Sequence, residues 1–155
     1  MEWVSEFTDL GLITLAALLA GLVGLERESD GKPAGFRTHM IIGGAAALLV
    51  VCGKWLVNSG IFERSGSAMN YDPIRIMEAV IVGVSFIGAG TILKTPEKEE
   101  GARVKYLTTA ASLLFSAGLG ICVAIERFII AVGVTILILI INRTLGKFNF
   151  PNKGE

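Results

Sequence analysis

Charge is scarce in this sequence and missing altogether from several long stretches. Only 18% of the 155 residues are Asp, Glu, Lys or Arg, against about 25% in soluble domains. The 14 basic and 14 acidic residues balance to a net charge of zero, so no overall basic field is present to hold nucleic acid. The single histidine, His39, is too little for a transition-metal centre of the usual kind. The two cysteines, Cys52 and Cys122, lie inside apolar stretches and are spaced like neither a zinc site nor a CxxC redox pair. They read as packed thiols in the apolar layer. Residues 1–9 hold no Lys or Arg, so the basic n-region of a cleavable signal peptide is missing and the first apolar stretch is expected to be retained. No nucleophile–base pair, Walker loop or HExxH motif occurs, and no enzymatic function is expected.

What the chain does have is long apolar runs, in a composition that is 52% hydrophobic. Crossing a ~30 Å hydrocarbon core takes about 20 such residues in a helix. Spans are expected at about 10–25, 39–57, 74–93, 107–125 and 128–141. The fold class is therefore all-α, a polytopic membrane protein of about five transmembrane helices. Residues 1–145 form the transmembrane domain and 146–155 a short polar tail. Asp30-Gly31, Pro33 and Gly35 mark the first turn. Thr38 reads as the N-cap of the second span, and Asp72-Pro73 as N-cap and first residue of the third. Lys54, about one turn from the end of its span, is expected to snorkel to the headgroups.

The basic residues set an orientation. One side receives Arg27, Lys32, Arg37, Lys94, Lys98, Arg103, Lys105, Arg143, Lys147 and Lys153, ten in all. The other receives Lys54, Arg64, Arg75 and Arg127, four in all. The richer side is expected in the cytoplasm, with the N-terminus outside and the C-terminus inside, which agrees with an odd number of spans.

Small residues recur at helical spacing: Ala16, Ala20 and Gly24 in the first span, Ala79 and Gly83 in the third, Ser112, Ser116 and Gly120 in the fourth. In lipid such residues let backbones approach closely. Spans one to four are expected to pack tightly, and the bulky aliphatic fifth to face lipid. Spans one–two and three–four form two hairpins of like orientation, a possible parallel repeat, although their residues match poorly.

Candidate site residues stand out against this apolar background. Glu78 falls about one turn into the third span, sharing a helical face with Val82, Ser85 and Ala89. Ionisable residues inside spans usually face a cavity or a partner. Glu78 is either a cation or proton site or an interfacial carboxylate paired with Arg75 or Lys54. Glu26, Arg27, Glu28, Lys32, Arg37, Thr38 and His39 crowd the loop between the first two spans. Their carboxylates can build an ion-pair network or hold a hydrated Mg²⁺, which favours oxygen ligands and keeps several waters. Juxtamembrane charge that only sets topology is the plainer reading. Asp72 and Arg75 have the spacing of a cap with an i,i+3 pair. Thr108 and Thr109 open the fourth span beside Arg103 and Lys105, where a helix N-terminus can receive an anion.

Three blocks, GLVGLERESDGKPAGFRTHM (21–40), DPIRIMEAVIVGVSFIGAGTIL (72–93) and VKYLTTAASLLFSAGLG (104–120), resemble the MgtC/SapB family in its N-terminal membrane domain. The resemblance covers spans one to four. It implies a small multi-span protein of the bacterial cytoplasmic membrane, linked to growth under magnesium limitation and, in pathogens, to survival inside host cells. It implies either a magnesium or other cation transporter, with Mg²⁺ as ligand, or a regulator acting on other membrane proteins; the regulator is favoured. A homo-oligomer, with a dimer as first guess, is expected within the lipid bilayer. The matching polar positions are Glu26, Arg27, Glu28, Lys32, Arg37, Thr38, His39, Asp72, Arg75, Thr108 and Thr109. The chain departs from the family pattern at Lys105-Tyr106, at Ser112-Leu-Leu-Phe115 and at Glu78, and it stops before the soluble C-terminal domain of longer members.

Overall fold

Each apolar run becomes one α-helix, because backbone in hydrocarbon must satisfy its own N–H and C=O groups. The computed structural model describes residues 2–59, 72–93 and 106–145. Among the described residues five helices result: α1 (Glu2–Ser29), α2 (Phe36–Asn58), α3 (Pro73–Leu93), α4 (Leu107–Ala124) and α5 (Phe128–Leu145). The first four are long and apolar enough to cross a membrane, and α5 is a shorter apolar helix. Its 18 residues rise about 27 Å at ~1.5 Å each. This is an all-α membrane protein. Arg103, Lys105 and the 146–155 tail lie outside the described residues.

Sequence neighbours run antiparallel. Gly24 lies against Gly35 and Phe36 while Gly44 lies against Ala17, so α1 and α2 form a hairpin. His39 meets Ser112 and Lys54 meets Ala124, so α2 and α4 run parallel. Gly88 of α3 meets Ala110 near the start of α4. Glu26 meets Asn142, so α5 ends where α1 ends. One end of the bundle therefore carries Glu26, Arg27, His39, Thr109 and Asn142, and the other carries Lys54 and Glu126.

The core is the junction of α1, α2 and α4. Ala16, Ala20, Ala47, Leu113 and Ala117 are fully buried there. Helices can approach this closely only where side chains are absent. A Cβ added at Gly43 would stand 2.5 Å from Ala20 Cβ and 3.1 Å from Ala16 O, and one at Gly120 would overlap the carbonyl oxygen of Gly43.

α3 corrects the expected packing. It buries a stripe of Val80, Val84 and Gly88, leaving Ala79, Gly83, Ala89 and Gly90 outside. Among the described residues, nothing beyond the helix itself lies within 4 Å of a Cβ built at Gly83 or Gly90. Only 11% of its apolar window is buried, against 56% for α4. α5 buries Ala131, Thr135 and Ile138. Both helices flank the three-helix junction, so exposure is not the mark of the fifth span alone. Cys52 is exposed on α2 rather than packed, and Cys122 is half-buried.

The helix ends follow local chemistry. α1 closes with Gly31 at φ +65°, Gly31 N–H donating to Glu28 O at 3.0 Å and Lys32 N–H to Arg27 O at 3.0 Å, the pattern of a Schellman cap. α4 closes the same way with Glu126 at φ 63°, Glu126 N–H donating to Val123 O and Arg127 N–H to Cys122 O. Asp72 caps α3, accepting from Ile74 N–H at 2.9 Å. The N-cap of α2 is Gly35, not Thr38, which lies inside the helix. The reason is Glu28, whose carboxylate accepts from Phe36 N–H at 2.8 Å and so does the capping from the preceding helix.

Candidate functional site

Successive residues on an α-helix point about 100° apart, so Glu26-Arg27-Glu28 addresses three directions. Glu28 turns to the N-terminus of α2, where a negative charge complements the helix dipole and where Gly35 leaves it room: a Cβ there would lie 2.6 Å from Glu28 Oε2 and displace the carboxylate. Glu26 turns to α5 and accepts from Asn142 Nδ2 at 2.8 Å. Arg27 turns inward to α4. Its Nη2 donates to Thr109 Oγ1 at 3.1 Å and to Thr108 Oγ1 at 3.3 Å. One tripeptide thus ties α1 to each of its three neighbours.

Arg27 is only 3% exposed, and its Nε has no hydrogen-bond partner among the described residues. The fields of Glu26 and Asp30 reach it. Among the described residues, however, the one ion pair within 4.0 Å is Lys54–Glu126, at the far end. The direct partners of the buried guanidinium are neutral hydroxyls, and the longer-range fields of the two carboxylates offset its desolvation only in part.

His39 lies one helical turn beyond Gly35 and is fully buried. Its Nδ1 stands 2.9 Å from Gly35 O, which can only accept, so Nδ1 carries the proton. Nε2 then faces Ser112 Oγ at 3.3 Å. Ser112 also lies 2.8 Å from Thr109 O and has one proton for the two acceptors. Ser116 continues the ladder to Ser112 O at 3.1 Å. The result is a continuous polar seam, Arg27–Thr109–Ser112–His39, running between α1, α2 and α4.

The other candidates do not join this seam. Arg37 and Lys32 are exposed, and Thr38 is half-buried. Asp72, Arg75 and Glu78 sit on α3 near the opposite end, all exposed. Glu78 shares its outward face with Val82, Ser85 and Ala89. Lys54 donates to Ala124 O at 3.0 Å and to Glu126 Oε1 at 3.3 Å, so it closes the end of α4 rather than reaching Glu78. Among the described residues no group of three or more His, Cys, Asp or Glu could hold a metal ion. Sequence reasoning marked Gly35 only as a turn residue and assigned no contact to Asn142 or Glu126. A lone amide ending an apolar run was the available signal for Asn142.

An up-and-down bundle of apolar helices, knit by glycine contacts and a buried polar seam at one end, defines a polytopic membrane protein. The chain belongs to the MgtC family, whose model matches residues 13–150. It is 32% identical over 139 residues to the Escherichia coli K12 protein named "Putative magnesium transporter YhiD", covering 89% of this chain and 60% of that one. It is 34% identical over 129 residues to "Protein MgtC" of Salmonella typhimurium, covering 83% and 48%. A Haemophilus influenzae protein is 35% identical over 126 residues, covering 81% and 50%. The chain thus spans roughly half to three-fifths of these relatives. No solved structure matches it.

Proposed function

We propose that this chain is a regulatory module of the bacterial cytoplasmic membrane, tied to magnesium limitation, which works by contacting other membrane proteins and by pairing with itself as a homodimer. It acts by binding, not by catalysis. Ten of the 14 basic residues fall, in chain order, at the Arg27 end, which the positive-inside rule turns to the cytoplasm. The N-terminus is then outside. Magnesium enters through the printed name of the Escherichia coli relative, as the signal or ligand of the response and not as a resident cofactor.

The observation that carries this reading is the outer face of α3. It presents Glu78, Ser85 and Phe86 (82% exposed) beside bare glycines. A carboxylate there is costly against lipid and is expected to meet protein. The buried seam favours regulation over conduction for a further reason. It is centred on a guanidinium, which repels a divalent cation, while Glu26 and Glu28 are both engaged in helix contacts.

Affinity capture from detergent extracts of cells grown in low Mg²⁺ tests the reading. A discrete membrane protein should be recovered, and Gly83→Leu should cut that recovery about tenfold, equivalent to ~1.4 kcal/mol. Recovery of nothing beyond a second copy would sink the regulatory part. The transporter reading keeps one specific support, the printed name of the Escherichia coli relative. It requires Mg²⁺ flux into proteoliposomes that Glu78→Gln abolishes.

A further inference from the structure

Arg27 makes no ion pair within 4.0 Å among the described residues, and the Glu26 and Asp30 carboxylates act on it only from further off. The first intrahelical bond of α4 that involves a described donor at its start runs from Ala110 N–H to Tyr106 O. The N–H groups of Leu107, Thr108 and Thr109 therefore have no acceptor within the helix, and they carry the positive end of the helix dipole. Arg27 brings a full positive charge to the same turn, through Thr108 and Thr109. Two like electrostatic features converge where opposites would be expected. Arg27 is 97% hidden, and its Nε–H has no partner among the described residues, yet Thr108, Leu107 and Tyr106 are exposed. Among the described residues this end holds Arg27, Lys32, Arg37 and Arg143 against Glu26, Glu28 and Asp30, so the balance of charge there is positive.

We propose that Arg27 and the first turn of α4 form a binding site for a phosphate-class anion, either the phosphate of a lipid headgroup or free inorganic phosphate. The anion accepts from the free N–H groups and the Thr108 hydroxyl, and its charge balances Arg27 across the short Thr108–Thr109 bridge. Planar guanidinium groups and helix N-termini are the two protein features best suited to phosphate oxygens. The site does not depend on the regulatory reading, and it would stand in a transporter equally well.

The full chain purified in a neutral detergent decides the matter. Inorganic phosphate at about a hundred times its dissociation constant should raise Tm by roughly 5–10 °C over chloride at matched ionic strength. Nanodiscs of phosphatidylglycerol should give a comparable rise over lipid-free micelles if the headgroup is the natural source. A response to either supports the site and identifies the source. No response to either overturns it. Arg27→Gln should lose the response, but it can also lose the fold. Thr108→Glu avoids that difficulty, because the position is exposed and the new carboxylate supplies the anion from within. This variant should melt higher than wild type in chloride and gain little from phosphate or phosphatidylglycerol. A Thr108→Glu protein that responds as fully as wild type places the anion elsewhere and overturns the proposal.

Discussion

The seam between α2 and α4 and the outer face of α3 are made of the same residue types and have opposite surroundings. Gly43 and Gly120 lie backbone against backbone, whereas Gly83 and Gly90 meet no neighbouring helix among the described residues. Ser112 and Ser116 are buried and bonded, whereas Ser85 is exposed. Small residues therefore permit close approach without specifying which neighbour takes advantage of it. What selects α4 as the partner of α1 and α2 is the accompanying polar pairing, of Arg27 from α1 and of His39 and Lys54 from α2, with α4. On α3 the side chains of Arg75, Glu78 and Ser85 stand exposed, and Thr91 bonds within its own helix.

The same substitution at both places breaks this comparison most directly. Gly120→Ala should destabilise the fold by about 3 kcal/mol, because the new methyl overlaps a backbone carbonyl that cannot move aside. Gly83→Ala should leave stability unchanged or raise it by about 0.5–1 kcal/mol through lower helix entropy cost. SDS titration of the detergent-solubilised protein, followed by far-UV circular dichroism, measures both; equal effects would dissolve the distinction. Next in size is Thr109→Val, which keeps the shape and removes an acceptor of Arg27. Leaving that buried donor unmet should cost about 1–3 kcal/mol, readable in the same titration. The smallest effect belongs to Lys54→Met at the other end of the seam. Its ion pair with Glu126 is 43% and 63% exposed, so the loss should be about 0.5 kcal/mol and should shrink in high salt.

Helices were legible in the sequence because hydrocarbon thickness and apolar run length are the same quantity in different units. Asp72 was legible as a cap because capping is local. The core helices were half legible: Ala16, Ala20, Ser112, Ser116 and Gly120 do face the junction. The stripe Ala79–Gly83 does not, since its composition is indistinguishable from theirs. The candidate site was legible as a cluster but not as an arrangement. Glu26, Arg27 and Glu28 look like one acidic ligand set in one dimension, and helical rotation sends them to three different helices. Thr109 stands 82 residues from Arg27, and no periodicity links such positions. Glu126 as a left-handed cap was beyond reach as well, because a glycine ordinarily marks that conformation.

That sequence distance has a consequence for how the protein is made. Arg27 leaves the ribosome long before the threonine that receives it. Until the fourth helix enters the bilayer, the arginine of the nascent hairpin can only stretch back to the aqueous boundary. Completion of the bundle is thus postponed to α4, and a chain cut short before it would present an unquenched cation to any protease that surveys newly inserted proteins.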